Sequence, residues 1–184
     1  TGTFNLTTAE ITDVIGGLTG GLVIGDNDVS TGAMTLDAAT GFGSLTVSMN
    51  AGSFTDANTT DRAITAGTLN LDANSSTIGG SGNNAIDVTV TNLSLLTTNA
   101  NADVKSGQGI TFTGTSDVGT GTLTVTTSVG DITVTDSAIS SSSAMDVVLD
   151  SAGAIVAAEA TNSTANIATA GGTITLTADD GITD

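Results

Sequence analysis

Gly121-Thr122-Leu123-Thr124-Val125 is the stretch whose reading decides the fold: a glycine, a spacer, then apolar, small polar, apolar. Working outward, the same phrase returns downstream as Gly130-Asp131-Ile132-Thr133-Val134 and Gly172-Thr173-Ile174-Thr175-Leu176. Upstream it reads Gly67-Thr68-Leu69-Asn70-Leu71, Gly43-Ser44-Leu45-Thr46-Val47 and Gly32-Ala33-Met34-Thr35-Leu36. An apolar residue at every second position marks a half-buried strand, and a glycine ahead of it admits φ > 0, so each copy reads as a turn followed by a short strand. Repetition of one such unit is the signature of a stacked repeat architecture.

Spacing turns the phrase into a fold. Taking Ile24, Val47, Leu71, Val90, Phe112, Val134, Ile155 and Leu176 as equivalent core positions gives intervals of 23, 24, 19, 22, 22, 21 and 21 residues. A second apolar series, Leu36, Ile64, Ile78, Leu95, Leu123, Val148 and Ile167, falls between them. More than one strand per period and no helix-period stripe predict an all-β chain folded as a right-handed parallel β-helix, a solenoid of about 22 residues per coil. About eight coils rising about 4.8 Å each make roughly 40 Å of shaft. Val47, Leu71, Val90, Phe112, Val134 and Leu176 are expected to stack inward. Thr46, Thr89, Thr111, Thr133 and Thr175, one position removed, are expected to form outward hydroxyl ladders.

Composition agrees with a narrow core. Leu, Ile, Val and Phe make up about a quarter of the chain, which holds four Phe and no Trp or Tyr. Small and β-branched residues in alternating runs are what a slender tube needs, and the absence of Pro suits ladders in which every backbone donor is committed. With no linker-like shift in composition, residues 1–184 read as a single β-solenoid domain, expected to be a segment of a longer repeat protein because the phrase runs to both ends. Tandem β-sandwich modules fit less well, since their cores carry a large buried aromatic residue and their turns carry Pro.

Charge excludes whole classes of partner. Two basic residues, Arg62 and Lys105, stand against 19 acidic ones, for a net charge of −17. Such a surface repels phosphate backbones and anionic headgroups, so neither nucleic acid nor an acidic membrane is an expected partner. No run of apolar residues is long enough for a membrane helix, and the aromatic girdles of an outer-membrane barrel are missing, so membrane insertion is not expected.

Site chemistry is sparse. Without His a serine nucleophile lacks its usual base, without Cys there is no thiol chemistry or thiolate metal site, and Lys105 does not follow a phosphate-cradling glycine loop. No catalytic residue and no obligate cofactor are therefore expected, and the chain is not read as an enzyme. Calcium is the one ion worth weighing. Gly79-Gly80-Ser81-Gly82-Asn83-Asn84-Ala85-Ile86-Asp87 approaches the nonapeptide of calcium-binding parallel rolls, with Asn84 where the ligand Asp belongs. A roll needs consecutive copies to complete each oxygen shell, and this chain has one, so a glycine-rich turn is the better reading. Asp26 and Asp28, and Asp179 and Asp180, complete the set of weak Ca²⁺ candidates. Each pair sits in a turn-like context, where Asp is common for its own reasons.

The Gly-x-Ile/Leu-Thr-Leu/Val phrases, the tail Ile132-Thr133-Val134-Thr135-Asp136-Ser137-Ala138-Ile139, and the Cys-free, Pro-free, acidic background rich in Ala, Gly, Thr, Ser and Asn resemble the repeat regions of large bacterial exported adhesins of the filamentous haemagglutinin and autotransporter kind. The likeness runs from about Leu18 to the C-terminus and lies in composition and rhythm. It implies an extracellular or cell-surface β-helix shaft with a structural or adhesive role, whose partner is a host or neighbouring-cell surface. The alternative is a self-assembling filament or surface-layer subunit. Exposed coil ends predict homotypic contacts, end to end or by strand exchange.

Overall fold

Every copy of the phrase that the computed structural model describes is a strand, and each strand pairs in parallel with the corresponding strand of the next coil. The structure describes residues 21–26, 34–36, 42–56, 64–159 and 165–184. Sixteen strands follow in order: β1 (Gly21–Asp26), β2 (Met34–Leu36), β3 (Phe42–Met49), β4 (Phe54–Asp56), β5 (Ile64–Asp72), β6 (Ile86–Leu96), β7 (Ala102–Ser106), β8 (Ile110–Phe112), β9 (Thr122–Thr127), β10 (Ile132–Thr135), β11 (Ile139–Ser140), β12 (Asp146–Ser151), β13 (Ile155–Ala158), β14 (Ile167–Ala168), β15 (Ile174–Ala178) and β16 (Ile182–Thr183). Twelve of them join one sheet, and β11 with β14 and β2 with β4 form two short sheets. The result is a parallel β-solenoid of about 6 turns, with equivalent strands about 24 residues apart. Among the described residues the only helical element is one 3-10 turn, Gly82–Asn84.

The core is a set of vertical apolar columns. One runs Met34, Phe54, Ile78, Ala102, Leu123, Val147, Ile174. A second runs Leu22, Leu45, Leu69, Leu93, Phe112, Val134, Ala157. A third begins Ile24, Val47, Leu71, Leu95, and its members from Val47 on are buried. Stacking apolar on apolar leaves each core side chain packed above and below, with widths that vary along a column as from Phe54 through Ile78 to Ala102, and so slender a tube excludes water.

The register expected from spacing needs correction. Val47 and Leu71 do stack, but the next member is Leu95; Val90 belongs over Ala66. Phe112 and Val134 continue the Leu45 column, Ile155 lies over Ile132, and Leu176 lies over Leu149. The cause lies in the long strands. In β6 the inward residues are Ile86, Val88, Val90, then Leu93 and Leu95, with Thr91 and Asn92 both facing out. This two-residue corner recurs at Gly43-Ser44 in β3 and Gly67-Thr68 in β5. Crossing it shifts the inward set by three, so an odd error in spacing still lands on a core residue.

Coil length varies for a local reason. Successive register steps are 24 residues from β3 to β5 and from β5 to β6, but 18 from β6 to β7. The difference is Gly79–Ala85, an excursion between Ile78 and Ile86 for which the next coil has only Asp103, between Ala102 and Val104. From β7 onward the corner opens into a turn, so that β7 and β8 together cover what β6 spans alone.

The outward ladders are mixed and not purely threonine. Thr111 does stack on Thr133 and Thr89 on Thr65, but Thr46 stacks on Asn70 and Thr175 on Val148. Amides and hydroxyls bridge coils: Asn70 Nδ2 donates to Thr46 Oγ1 at 3.1 Å, and Ser94 Oγ donates to Asn70 Oδ1 at 2.6 Å. Beside them Asn74 Nδ2 donates to Asn50 Oδ1 and Thr98 Oγ1 to Asn74 Oδ1, both at 3.1 Å.

The phrase glycines serve mainly close approach. A Cβ at Gly121 would collide with the carbonyl of Ala100, and one at Gly172 with the carbonyl of Met145. Of the phrase glycines, Gly130 does adopt the expected positive φ, at 76°. Replacing Gly121 by Ala is therefore expected to destabilise the fold by about 2 kcal/mol or more, read from denaturant unfolding. Val134→Asp places a charge between Phe112 and Ala157 and should cost at least about 3 kcal/mol, whereas Thr133→Ser should stay within about 0.5 kcal/mol. Equal losses from the Val134 and Thr133 substitutions would contradict the register.

Candidate functional site

Hydroxyls inside the solenoid are the first place to look for chemistry. The column that starts with Ile64 and Val88 continues as Ser106, Thr127, Ser151 and Ala178. The three hydroxyl residues are buried, at 0%, 3% and 1% exposure. Each closes the turn that carries the chain to the next strand: Ser106-Gly107-Gln108-Gly109-Ile110, Thr127-Ser128-Val129-Gly130-Asp131-Ile132, and Ser151-Ala152-Gly153-Ala154-Ile155.

The geometry explains why a polar atom is tolerated there. Ser106 Oγ accepts the N–H of Gln108 at 3.3 Å, and Ser151 Oγ accepts that of Gly153 at 3.2 Å. Thr127 Oγ1 donates to the carbonyl of Gly130 at 3.0 Å. Ser151 Oγ lies 3.0 Å from the carbonyl of Ala154 and 3.1 Å from that of Gly130, and shares its single proton between them. A buried turn would otherwise strand backbone donors and acceptors, so these hydroxyls substitute for water. They are also poor nucleophiles, because no His exists in the chain and no carboxylate is among these partners. Sequence reading missed this column. Its signal is a Ser or Thr four or five residues ahead of an Ile, recurring once per coil.

The candidate calcium ligands that the structure describes lie in different coils. Asp26 ends β1 and its backbone pairs with Met49; Asp28 lies outside the described residues. Asn84 is exposed at the end of the Gly82–Asn84 turn, where its carbonyl accepts the N–H of Gly80 at 2.8 Å. Asp179 and Asp180 are exposed in the turn after β15, and their N–H groups donate to the carbonyls of Ser151 and Gly153, each at 3.1 Å. That turn is the last copy of the hydroxyl-closed turn, with Ala178 in the hydroxyl position. Asp26 and the Asp179–Asp180 pair thus belong to the first and last described coils. Among the described residues no three His, Cys, Asp or Glu side chains are grouped closely enough to hold a metal ion.

One carboxyl departs from its ordinary behaviour. Burial pushes Asp103, on β7, up to about 6 from an ordinary 3.8. Its N–H donates to the carbonyl of Ile78 at 2.8 Å, at the base of the Gly79–Ala85 excursion, and it stacks on Thr124. No family model, curated protein or solved structure matches the chain.

Two measurements follow from this geometry. Between about pH 4 and pH 6 the folded state holds the Asp103 proton that the unfolded state has released, so this residue's contribution to stability falls as pH rises through that window. The unfolding free energy of Asp103→Asn relative to wild type is expected to rise across the window and flatten above it. Ser151→Ala should cost about 1–3 kcal/mol by leaving the Gly153 N–H without its acceptor. A silent substitution would show that the hydroxyl column is dispensable.

Proposed function

We propose that the chain is a passive structural or adhesive shaft of an extracellular or cell-surface bacterial protein, with no catalytic residue and no obligate cofactor. The observation that carries this reading is the continuity of the core columns through about six turns, with the polar side chains engaged in coil-to-coil and turn-closing hydrogen bonds. A regular rod made this way is stiff along its axis, because bending it strains many parallel ladder bonds at once. Its acidic flanks keep it solvated and apart from nucleic acid and anionic lipid. The likeness in phrase and composition to exported adhesin repeats supports an address outside the cell and a partner on a host or neighbouring-cell surface.

The second reading, a self-assembling filament or surface-layer subunit, is supported by the same Thr-rich, acidic composition with few aromatic residues. Both readings share the shaft and differ in what its ends meet.

The shaft is tested by removing one register step. Thr68 pairs with Asn92, so deleting residues 68–91 joins β5 to the second half of β6. The shortened chain is expected to keep a cooperative β-sheet unfolding transition and to lose about 4.8 Å of length. Loss of folding would contradict a modular shaft. For the address, antibody to the folded chain should label intact producing cells and the label should vanish on protease treatment; label only after permeabilisation would overturn it.

A further inference from the structure

The Gly79–Ala85 excursion leaves the sheet where Asp103 faces outward. Its feet are fixed, since Ile78 and Ile86 are buried and stack on Ala102 and Val104. Between them Ser81, Gly82, Asn83 and Asn84 are exposed. The neck is narrow: the Gly80 N–H donates to the carbonyl of Asn84 and the Gly79 N–H to that of Phe54, both at 2.8 Å, and the Ala85 N–H to that of Gly82 at 3.2 Å. A Cβ on Gly79 would stand 2.5 Å from the Asp103 carbonyl oxygen and 3.0 Å from the Ile86 nitrogen, so both legs and β7 meet at one point. Ala102, Val104 and Ser106 of β7 face inward, which turns Asp103 and Lys105 out. Lys105 is exposed, but Asp103 is half-buried. Thr124 lies beside Asp103 on β9, and on its other side stand only the two legs of the excursion. The neck therefore takes water from this carboxyl, and that loss of water is what pushes it up to about 6.

We propose that the excursion is a pH-sensitive latch, whose neck closes over Asp103 while that carboxyl is protonated and loosens when it ionises, releasing the Ser81–Asn84 tip from the side of the solenoid. Among the described residues the charged groups around the neck are few. β4, whose Phe54 receives the Gly79 N–H, carries Asp56; β6 carries Asp87; β7 itself carries Lys105, which stacks on Asp87; β9 offers Thr122, Thr124 and Thr126 and no charge. Lys105 already has one acid opposite it, and Asp56 adds negative charge on the β4 side of the neck. Ionised Asp103 is relieved by admitting water, and the neck, held by single backbone bonds between anchored feet, is the place that opens without disturbing the core. The open neck leaves Asp103 near an ordinary 3.8 and the closed neck holds it near 6, so closing takes up a proton that opening releases. The open population therefore grows as pH rises from about 4 to about 6 and levels off above. Because the carboxyl keeps part of its water even when the neck is closed, the growth is about tenfold, less than the full shift would give.

Hydrogen exchange of the full chain tests the latch, read as protection factors so that the intrinsic pH dependence of exchange is removed. The Gly80 and Ala85 amides are expected to lose about tenfold in protection between pH 4 and pH 7. The Ala73 and Ile132 amides, bonded to the carbonyls of Leu96 and Ala154, should hold theirs. Asp103→Asn should leave the neck equally protected at both pH values. Asp103→Thr, a good strand former beside Thr124, should do the same, so the outcome does not hang on one variant. Equal protection of Gly80 and Ala85 at both pH values in wild type, a fall shared by Ala73 and Ile132, or a pH dependence that survives both substitutions would each overturn the proposal.

Discussion

Parallel backbone pairing between successive coils is the constraint on which the remainder of the structure depends. In a solenoid a strand's N–H and C=O groups point at the coils above and below, so satisfying them fixes each residue over its counterpart one turn away. Side chains then have no freedom to interdigitate as they do between two sheets. They stack, and columns such as Leu45, Leu69, Leu93, Phe112, Val134 follow from the hydrogen bonds as much as from the hydrophobic effect. The phrase glycines obey the same rule: at Gly121 and Gly172 the neighbouring coil's carbonyl occupies the space a Cβ would need.

Turns absorb what strands cannot. Among the described strand pairs, register steps run from 18 residues between β6 and β7 to 28 between β11 and β14, yet the strands stay parallel and in register. The Gly79–Ala85 excursion projects from one coil without disturbing the next, because Ile78 and Ile86 still stack on Ala102 and Val104. Where the corner widens into a turn, Ser106, Thr127 and Ser151 supply the hydrogen bonds that strand pairing supplies elsewhere.

This division explains what the sequence disclosed. Alternation is local, so the strands, their inward faces and the solenoid class were legible from phrases such as Gly121–Val125. The pairing of Val90 with Ala66 was not, because Thr91 and Asn92 turn out together and only three-dimensional stacking shows on which side of that corner a residue lies. The turn glycine expected ahead of each strand held at Gly130, which has the positive φ, while Gly121 and Gly172 answer to crowding and Gly43 and Gly67 lie inside β3 and β5. The hydroxyl column escaped notice because Ser and Thr are everywhere in this composition, and only burial separates Ser151 from its exposed counterparts. Of the acidic residues read as calcium candidates, Asp26 lies in the first described coil and Asp179 and Asp180 in the last.

Charge completes the argument. A strict repeat would place each acid directly over its own copy, with carboxylates about 4.8 Å apart along the shaft, and like charges facing across a ladder are destabilising. The described register avoids this. Asp72 faces Ser48 and Leu96, Asp87 faces Lys105, Asp103 faces Thr124, and Asp150 lies between Thr126 and Thr177. In none of the described strand pairings does an Asp oppose another Asp. The inward positions can therefore repeat closely while the outward ones must differ from coil to coil, and so a chain of net charge −17 stacks on itself. The imperfection of the repeat is a condition of the stacking, and it falls on the outward face, where hydroxyls separate the carboxylates.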